Sequence, residues 1–308
     1  MLPKLRLDFV DFGGTNKLDN YFYRALSKDF TIEISDRPDL LIFQDGGYVN
    51  RLYTCKKLFV TGESDLPDWS IADYAISCHF LDDPRHLRLP FYVWGGMATA
   101  RDLIKSETRI QEILSAKRTG CSAVVSNANV KRSRERTEFF LKLLQKLEVQ
   151  SAGRFMNNVG FISPGGPAKL DFIKKFKLNF SYENKDIPGY TTEKLTDAML
   201  AGCIPIYWGN SSVTKEFNSK SFLFRNDFDS DEQFIQYIID FDNNHAQYEK
   251  MLLEPNFHNN TPNLMFSEER VRAFLREIID SQVPLVSRKY HFSIGRWIAV
   301  KRNHFVSR

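Results

Sequence analysis

Polar and apolar residues alternate from the start of the chain. In residues 4–12 (KLRLDFVDF) an apolar side chain falls on nearly every second position, the period of a half-buried strand, and Gly13-Gly14 then marks a turn. Leu18, Tyr21, Phe22, Ala25 and Leu26 follow at helical spacing and predict a helix over 17–30. Residues 31–34, 40–43 and 57–60 read as further short strands. Residues 95–118 read as a helix-bearing connection, in which 100–118 carry Leu103, Ile104, Ile110, Ile113 and Leu114 among many charges, ending at Gly120. The apolar run 121–126 (CSAVVS) predicts a buried strand, and 136–147 an amphipathic helix. Glycine and proline make loops of 153–160 and 164–167. A helix over 168–176, a strand over 221–225 and helices over 231–253 and 270–280 complete the pattern. Strands alternating with helices predict an α/β protein with parallel sheets.

The densest signal lies in residues 176–210 (FKLNFSYENKDIPGYTTEKLTDAMLAGCIPIYWGN). It reads as an aromatic-rich strand, a polar loop with a Pro188-Gly189 turn, a short helix and a nearly continuous apolar strand. Thr191 and Thr192 are the candidate N-caps; Leu195, Ala198, Met199 and Ala201 form the buried stripe, and Gly202 ends the helix. A βαβ unit of this kind binds ligands beyond its strand ends. Unpaired N–H groups and the positive end of the helix dipole favour an anion at that helix start. Lys194 falls in the first turn, where a cation is unfavourable unless a ligand supplies compensating negative charge, and a phosphate would do so. Glu193 either complements the dipole or accepts from sugar hydroxyls, while Tyr190 and Asn184 offer a ring, a hydroxyl and an amide at the two ends of the loop.

Composition narrows the class. At 308 residues the chain suits two domains, and 43% hydrophobic residues is a globular fraction. No run approaches the roughly 20 apolar residues of a membrane span. Cys55, Cys78, Cys121 and Cys203 are scattered, which predicts neither zinc site nor disulfide framework and suits a reducing, cytoplasmic setting. Net charge is only +4, concentrated in 131–136 and in the acid-free stretch 288–308. The 131–136 run lacks the interleaved aromatics of single-strand binders, so nucleic acid is not an expected partner. The domains expected are 1–118, 119–282, and a basic, apolar tail 283–308. That tail reads either as an amphipathic element at an anionic membrane surface, giving peripheral contact with the inner membrane, or as a closing segment packed on the protein.

The pattern Phe180, Glu183-Asn184, Tyr190, Thr192-Glu193-Lys194 and residues 204–209 (IPIYWG) resembles the donor-binding signature of the alpha-1,3/alpha-1,4-fucosyltransferases, glycosyltransferase family 10. The resemblance implies two Rossmann-like α/β domains facing across a cleft (GT-B). It also implies inverting transfer of L-fucose from GDP-fucose to a glycan hydroxyl, O3 of GlcNAc or Glc, with no catalytic metal and no cofactor beyond that co-substrate. Donor-binding roles then fall to Asn184, Tyr190, Glu193 and Lys194, and a diphosphate-binding arginine to Arg136 or Arg134, with Arg132 a third nearby. Residues 58–92 resemble the acceptor-side region, with TGE at 61–63, DYAI at 73–76 and LRLP at 87–90. They make Glu63, at a strand's carboxyl end after a glycine, the general base. His79 and Trp94 are the acceptor-binding candidates, each with a structural role as the plain alternative, and Trp69 and Tyr92 could share an apolar platform. Asp227-Phe228-Asp229 has the spacing of a metal-binding pair but reads as a turn. The expected acceptors are oligosaccharides or lipid-linked glycans. The alternative is a GT-B transferase using a different nucleotide sugar for cell-surface glycan synthesis.

Overall fold

The computed structural model describes residues 1–13, 16–44, 47–116, 118–127, 133–282 and 285. These divide into two units, Met1–Leu89 with the segment from Ser267, and Pro90–Phe266.

In the first unit the opening alternation becomes β1 (Lys4–Val10), with Leu5, Leu7 and Phe9 buried and Lys4 and Arg6 in solvent. Helix α1 (Tyr21–Leu26) follows, shorter than 17–30. The Asn16 side chain takes the Leu18 amide and Asn20 caps the Tyr23 amide, so the chain turns where the apolar spacing alone predicted helix. Strands β2 (Thr31–Ile34), β3 (Leu40–Phe43), β4 (Lys56–Val60), β5 (Tyr74–Ser77) and β6 (His86–Arg88) complete a parallel sheet in the order β2-β1-β3-β4-β5-β6. All four side chains of β3 are buried, as a strand covered on both faces requires. The last two strands, only three or four residues long, were too short to show a period.

One contact in this sheet sets an acid limit. His86 Nε2 lies 2.8 Å from Ser77 Oγ, and burial lowers its pKa to about 4, with help from neighbouring His79 and Arg88 against Asp83. The unfolded chain, with histidine near 6.5, therefore binds a proton between pH 6.5 and 4 that the folded chain does not. Stability should be fully present above pH 6.5 and fall by roughly 1–2 kcal/mol toward pH 4, after discounting for partial exposure. Urea midpoints at pH 7 and 4.5 would show this fall in the parent and a smaller one in His86→Gln.

The second unit opens with α2 (Phe91–Trp94), α3 (Ala100–Leu103) and α4 (Glu107–Ser115). The connection is broken because Thr99 forms a capping box with Asp102, and Ser106 caps a new start by accepting from the Arg109 amide. Then come β7 (Cys121–Ala123), α5 (Arg134–Leu144), β8 (Val149–Ser151), α6 (Gly166–Ile173), β9 (Leu178–Tyr182), α7 (Glu193–Ala201), β10 (Ile204–Trp208), β11 (Leu223–Phe224), α8 (Asp231–Asn243) and α9 (His245–Leu253). The strands form a parallel sheet in the order β11-β10-β9-β7-β8. Its core stacks Phe139 on Tyr182 (4.6 Å between ring centres) and Phe180 on Tyr182 (4.5 Å). Helix α7 ends as expected at Gly202, with φ 74°. The Arg118 guanidinium donates to Ala201 O and Ile113 O, and Arg109 to Leu200 O, so two cations close the negative end of this helix.

Helix α10 (Glu268–Asp280) corrects the expected domain division. Its buried stripe of Val271, Phe274, Leu275 and Ile278 belongs to the first unit. Asp29 holds Arg272 at 2.5 Å and Arg276 at 3.1 Å, and Lys56 Nζ donates to Ile278 O. Residues 90–118, placed before the boundary by the sequence, belong to the second unit because α2 and α3 pack on α7. An amphipathic pattern shows that a helix has a buried face but not which sheet it covers. The tail 283–308, apart from Leu285, lies outside the described residues, and with it both readings of its role. No described helix is long and apolar enough to cross a membrane.

Numbered within each unit, the two sheets share one strand order, 2-1-3-4-5, with a sixth strand added in the first. The order reverses between β1 and β3 in one unit and between β7 and β9 in the other. Ligands of open parallel sheets bind at the carboxyl ends of the strands at such reversals.

Candidate functional site

The reversal in the second unit is where the sequence candidates gather. Strand β9 ends at Tyr182 and hands over to Glu183, whose carboxylate is fully buried. Its Oε1 accepts from the Thr192 amide at 2.7 Å and its Oε2 from the Thr192 hydroxyl at 2.7 Å. Lys194 Nζ donates to the same Oε2 at 3.2 Å and to Thr192 Oγ1 at 2.8 Å, and the Tyr207 hydroxyl lies 3.4 Å from Oε1. Thr192 is thus the N-cap by position, but its hydroxyl serves Glu183 and Lys194 and caps no amide of α7. A Cβ on Gly209 would lie 2.7 Å from the Tyr207 hydroxyl and 2.9 Å from Glu183 Cγ, which explains a glycine after IPIYW.

Electrostatics follow from this burial. Removal from water pushes the Glu183 carboxyl up, opposed mainly by Lys194. Burial disfavours the Lys194 ammonium, but Glu183 and Glu193 outweigh it and hold the lysine above its usual range. For Glu193 too, burial is overcome, by Lys194 and Lys169 first, and its carboxyl sits below the usual range. Lys169 Nζ lies 3.9 Å from Glu193 and 2.9 Å from the buried Asp197. The lysine at the helix start is therefore charged, held by Glu183 and Thr192, and partly exposed, at 22% of its side-chain surface.

Asn184 and Tyr190 join the group, since Asn184 Nδ2 lies 3.3 Å from the Tyr190 hydroxyl. The loop between them is pinned by Asn210, whose Nδ2 donates to Asp186 Oδ1 at 3.0 Å. Arg136, buried at 5% exposure, donates to Asn184 Oδ1, to Asn127 O and, at 3.2 Å, to Ser133 Oγ. It braces the loops after β7 and β9 from below. Arg134 is not brought to the group; it is exposed and pairs with Glu138 one turn along α5 at 2.7 Å. Arg132 lies outside the described residues. Glu183 and Tyr207 fall within the signature pattern but carry no role there, and Lys169 lies outside it. The available signal was a carboxylate directly closing an otherwise apolar and aromatic strand, where an acid must find a partner.

In the first unit, Glu63 is exposed in the loop after β4, its amide donating to Thr61 Oγ1 at 3.0 Å. His79, 8% exposed, lies in the loop after the adjacent β5 with Nε2 3.2 Å from Ser64 O, and so ties that loop to the one carrying Glu63. Trp94 is not brought beside His79 within one unit. It sits on α2 in the second unit, half-buried, edge to face with Phe91 at 4.8 Å. Tyr92 is fully buried, donating to Glu216 at 2.7 Å, and so offers no platform. Asp227 closes a 3-10 turn after β11, and Phe228 packs on Phe234 at 4.8 Å. Among the described residues no three His, Cys, Asp or Glu side chains are grouped to hold a metal ion.

Known proteins share this arrangement. The model for the C-terminal part of glycosyltransferase family 10 (fucosyltransferase) matches residues 114–259, and that for the alpha-(1,3)-fucosyltransferase FucT N-terminal domain matches residues 7–94. The chain is 26% identical over 322 residues to the alpha-(1,3)-fucosyltransferase FucT of Helicobacter pylori, covering 91% of this chain and 66% of that one. It is 30% identical over 131 residues to the 4-galactosyl-N-acetylglucosaminide 3-alpha-L-fucosyltransferase 9 of Mus musculus, covering 41% of this chain and 34% of that one. It thus spans about two thirds of the bacterial relative and about a third of the mouse one. A crystal structure of an alpha1,3-fucosyltransferase with GDP-fucose superposes with a TM-score of 0.74 at 26% identity, covering 92% of this chain and 93% of that one. Its two parallel-sheet units are those of a GT-B fucosyltransferase. With both family models in chain order and the signature residues gathered at one sheet edge, the chain belongs to glycosyltransferase family 10, the fucosyltransferases.

Proposed function

We propose that the chain transfers L-fucose from GDP-fucose to a glycan hydroxyl, O3 of GlcNAc or Glc, with inversion and without a metal. The observation that carries this reading is Lys194, a charged and partly exposed lysine on the first turn of α7, beside the β7/β9 reversal. The likeness to an alpha1,3-fucosyltransferase solved with GDP-fucose supports the choice of donor.

The chemistry requires two things. As the bond from fucose C1 to the diphosphate oxygen breaks, negative charge grows on GDP. A fixed cation and a helix N-terminus stabilise that charge more in the transition state than in the ground state. The acceptor hydroxyl attacks C1 from the opposite side and gives its proton to a base, a role assigned to Glu63. Asn184, Tyr190 and Glu193 are assigned to donor hydroxyls, and Arg136 to holding Asn184 in place.

The test is release of GDP and formation of fucosylated product from GDP-fucose and N-acetyllactosamine, with EDTA present. Turnover under those conditions is expected. Turnover with another nucleotide sugar and none with GDP-fucose would overturn the donor assignment. Turnover restored only by added divalent metal would overturn the metal-free mechanism.

A further inference from the structure

We propose that the exposed ring of Phe80, with Leu66 in the adjoining loop, is the stacking platform for a neutral sugar ring of the acceptor. This rests on the reading of Glu63 as the base, which puts the acceptor at this edge of the first sheet. Strands β4 and β5 are parallel neighbours, so the loops that follow them emerge side by side. Two contacts stitch those loops together: His79 Nε2 lies 3.2 Å from Ser64 O, and Cys78 Sγ lies 4.0 Å from Glu63 O. Glu63 is part of that stitch on one loop, and Phe80 directly follows it on the other.

Phe80 is 58% exposed and Leu66 63%, two large apolar side chains left in water on the two neighbouring loops that carry this stitch. The Arg88 guanidinium lies 4.2 Å from the centre of the Phe80 ring and is itself held by Nε donating to Cys78 O at 2.9 Å. That contact orients the ring, and the exposure that remains is an open aromatic surface. The C–H groups on one face of a pyranose match the electron-rich face of such a ring, while its hydroxyls stay at the rim, in reach of a carboxylate. Trp69, which carries a like contact from Arg85 at 4.1 Å, is less available because the residue is half-buried. Glu63, Asp65 and Asp68 share the β4 loop while the Arg88 guanidinium lies on the ring itself, so charge of both signs is present and what the ring selects is the uncharged C–H face of a sugar.

Saturation-transfer NMR with N-acetyllactosamine tests this without turnover. Sugar ring protons should receive saturation from the parent and from Phe80→Trp, and several-fold less from Phe80→Ser. In the transfer assay Phe80→Ser should raise the acceptor KM about tenfold, with the GDP-fucose KM within about twofold. Equal saturation transfer from the parent and Phe80→Ser, or none from the parent, would overturn the platform. Sugar binding through Phe80 with no fucose transfer by the parent would instead count against the proposed activity.

Discussion

Replacing Lys194 with methionine is expected to lower kcat/KM for GDP-fucose by roughly 10²–10³-fold, the usual effect of removing one preorganised donor from developing charge. The same change leaves Glu183 buried without its cation. Breaking a buried pair on one side costs about 3–5 kcal/mol, and the carboxyl will take up a proton to escape part of that cost. Lost activity in the single variant would therefore be ambiguous. Pairing it with Glu183→Gln removes the ambiguity, because the amide oxygen can still accept from the Thr192 amide, its NH2 can donate to the Thr192 hydroxyl oxygen, and no charge is stranded at that position. The double variant should recover most of the denaturation midpoint lost by Lys194→Met and none of the activity. Recovery of activity together with stability would mean that the ammonium only balances Glu183 and has no part in leaving-group departure.

This pair also shows where sequence reasoning reaches its limit. Lys194 in a first turn is visibly out of place in the sequence, because the helix dipole opposes it. From sequence, the compensating anion is expected in a bound ligand, a phosphate. The structure holds such an anion in Glu183, nine residues before Thr192, and nothing in linear spacing reveals that contact. Periodicity identified the long elements β1, β9, α7 and β10 because a buried strand or stripe writes itself into several consecutive positions. It missed β5, β6 and β8, which have three or four residues each and are specified by their sheet neighbours. Helix α10 was seen as a helix but assigned to the wrong unit, since Asp29 and Lys56, which hold it, lie more than two hundred residues away. The two arginine candidates were separable only in three dimensions. On α5 they are two residues apart, so Arg136 turns under the site while Arg134 turns to solvent and Glu138.

Exchanging Glu63 for glutamine is expected to lower turnover by about 10²–10⁴-fold, the range for loss of a positioned general base. The amide keeps the shape of the side chain and loses only its capacity to take a proton. The residue is exposed, so the change should move stability by no more than about 0.5 kcal/mol. Affinity for GDP-fucose should stay within about twofold, because the groups assigned to the donor lie on other elements. Asp65→Asn and Asp68→Asn, in the same loop, serve as controls for a general effect of its negative charge. Both should keep turnover within a few-fold of the parent. Turnover of Glu63→Gln within a few-fold of the parent would remove Glu63 from the mechanism. Equal losses in all three variants would assign the effect to the field of the loop, with no single carboxylate receiving the proton.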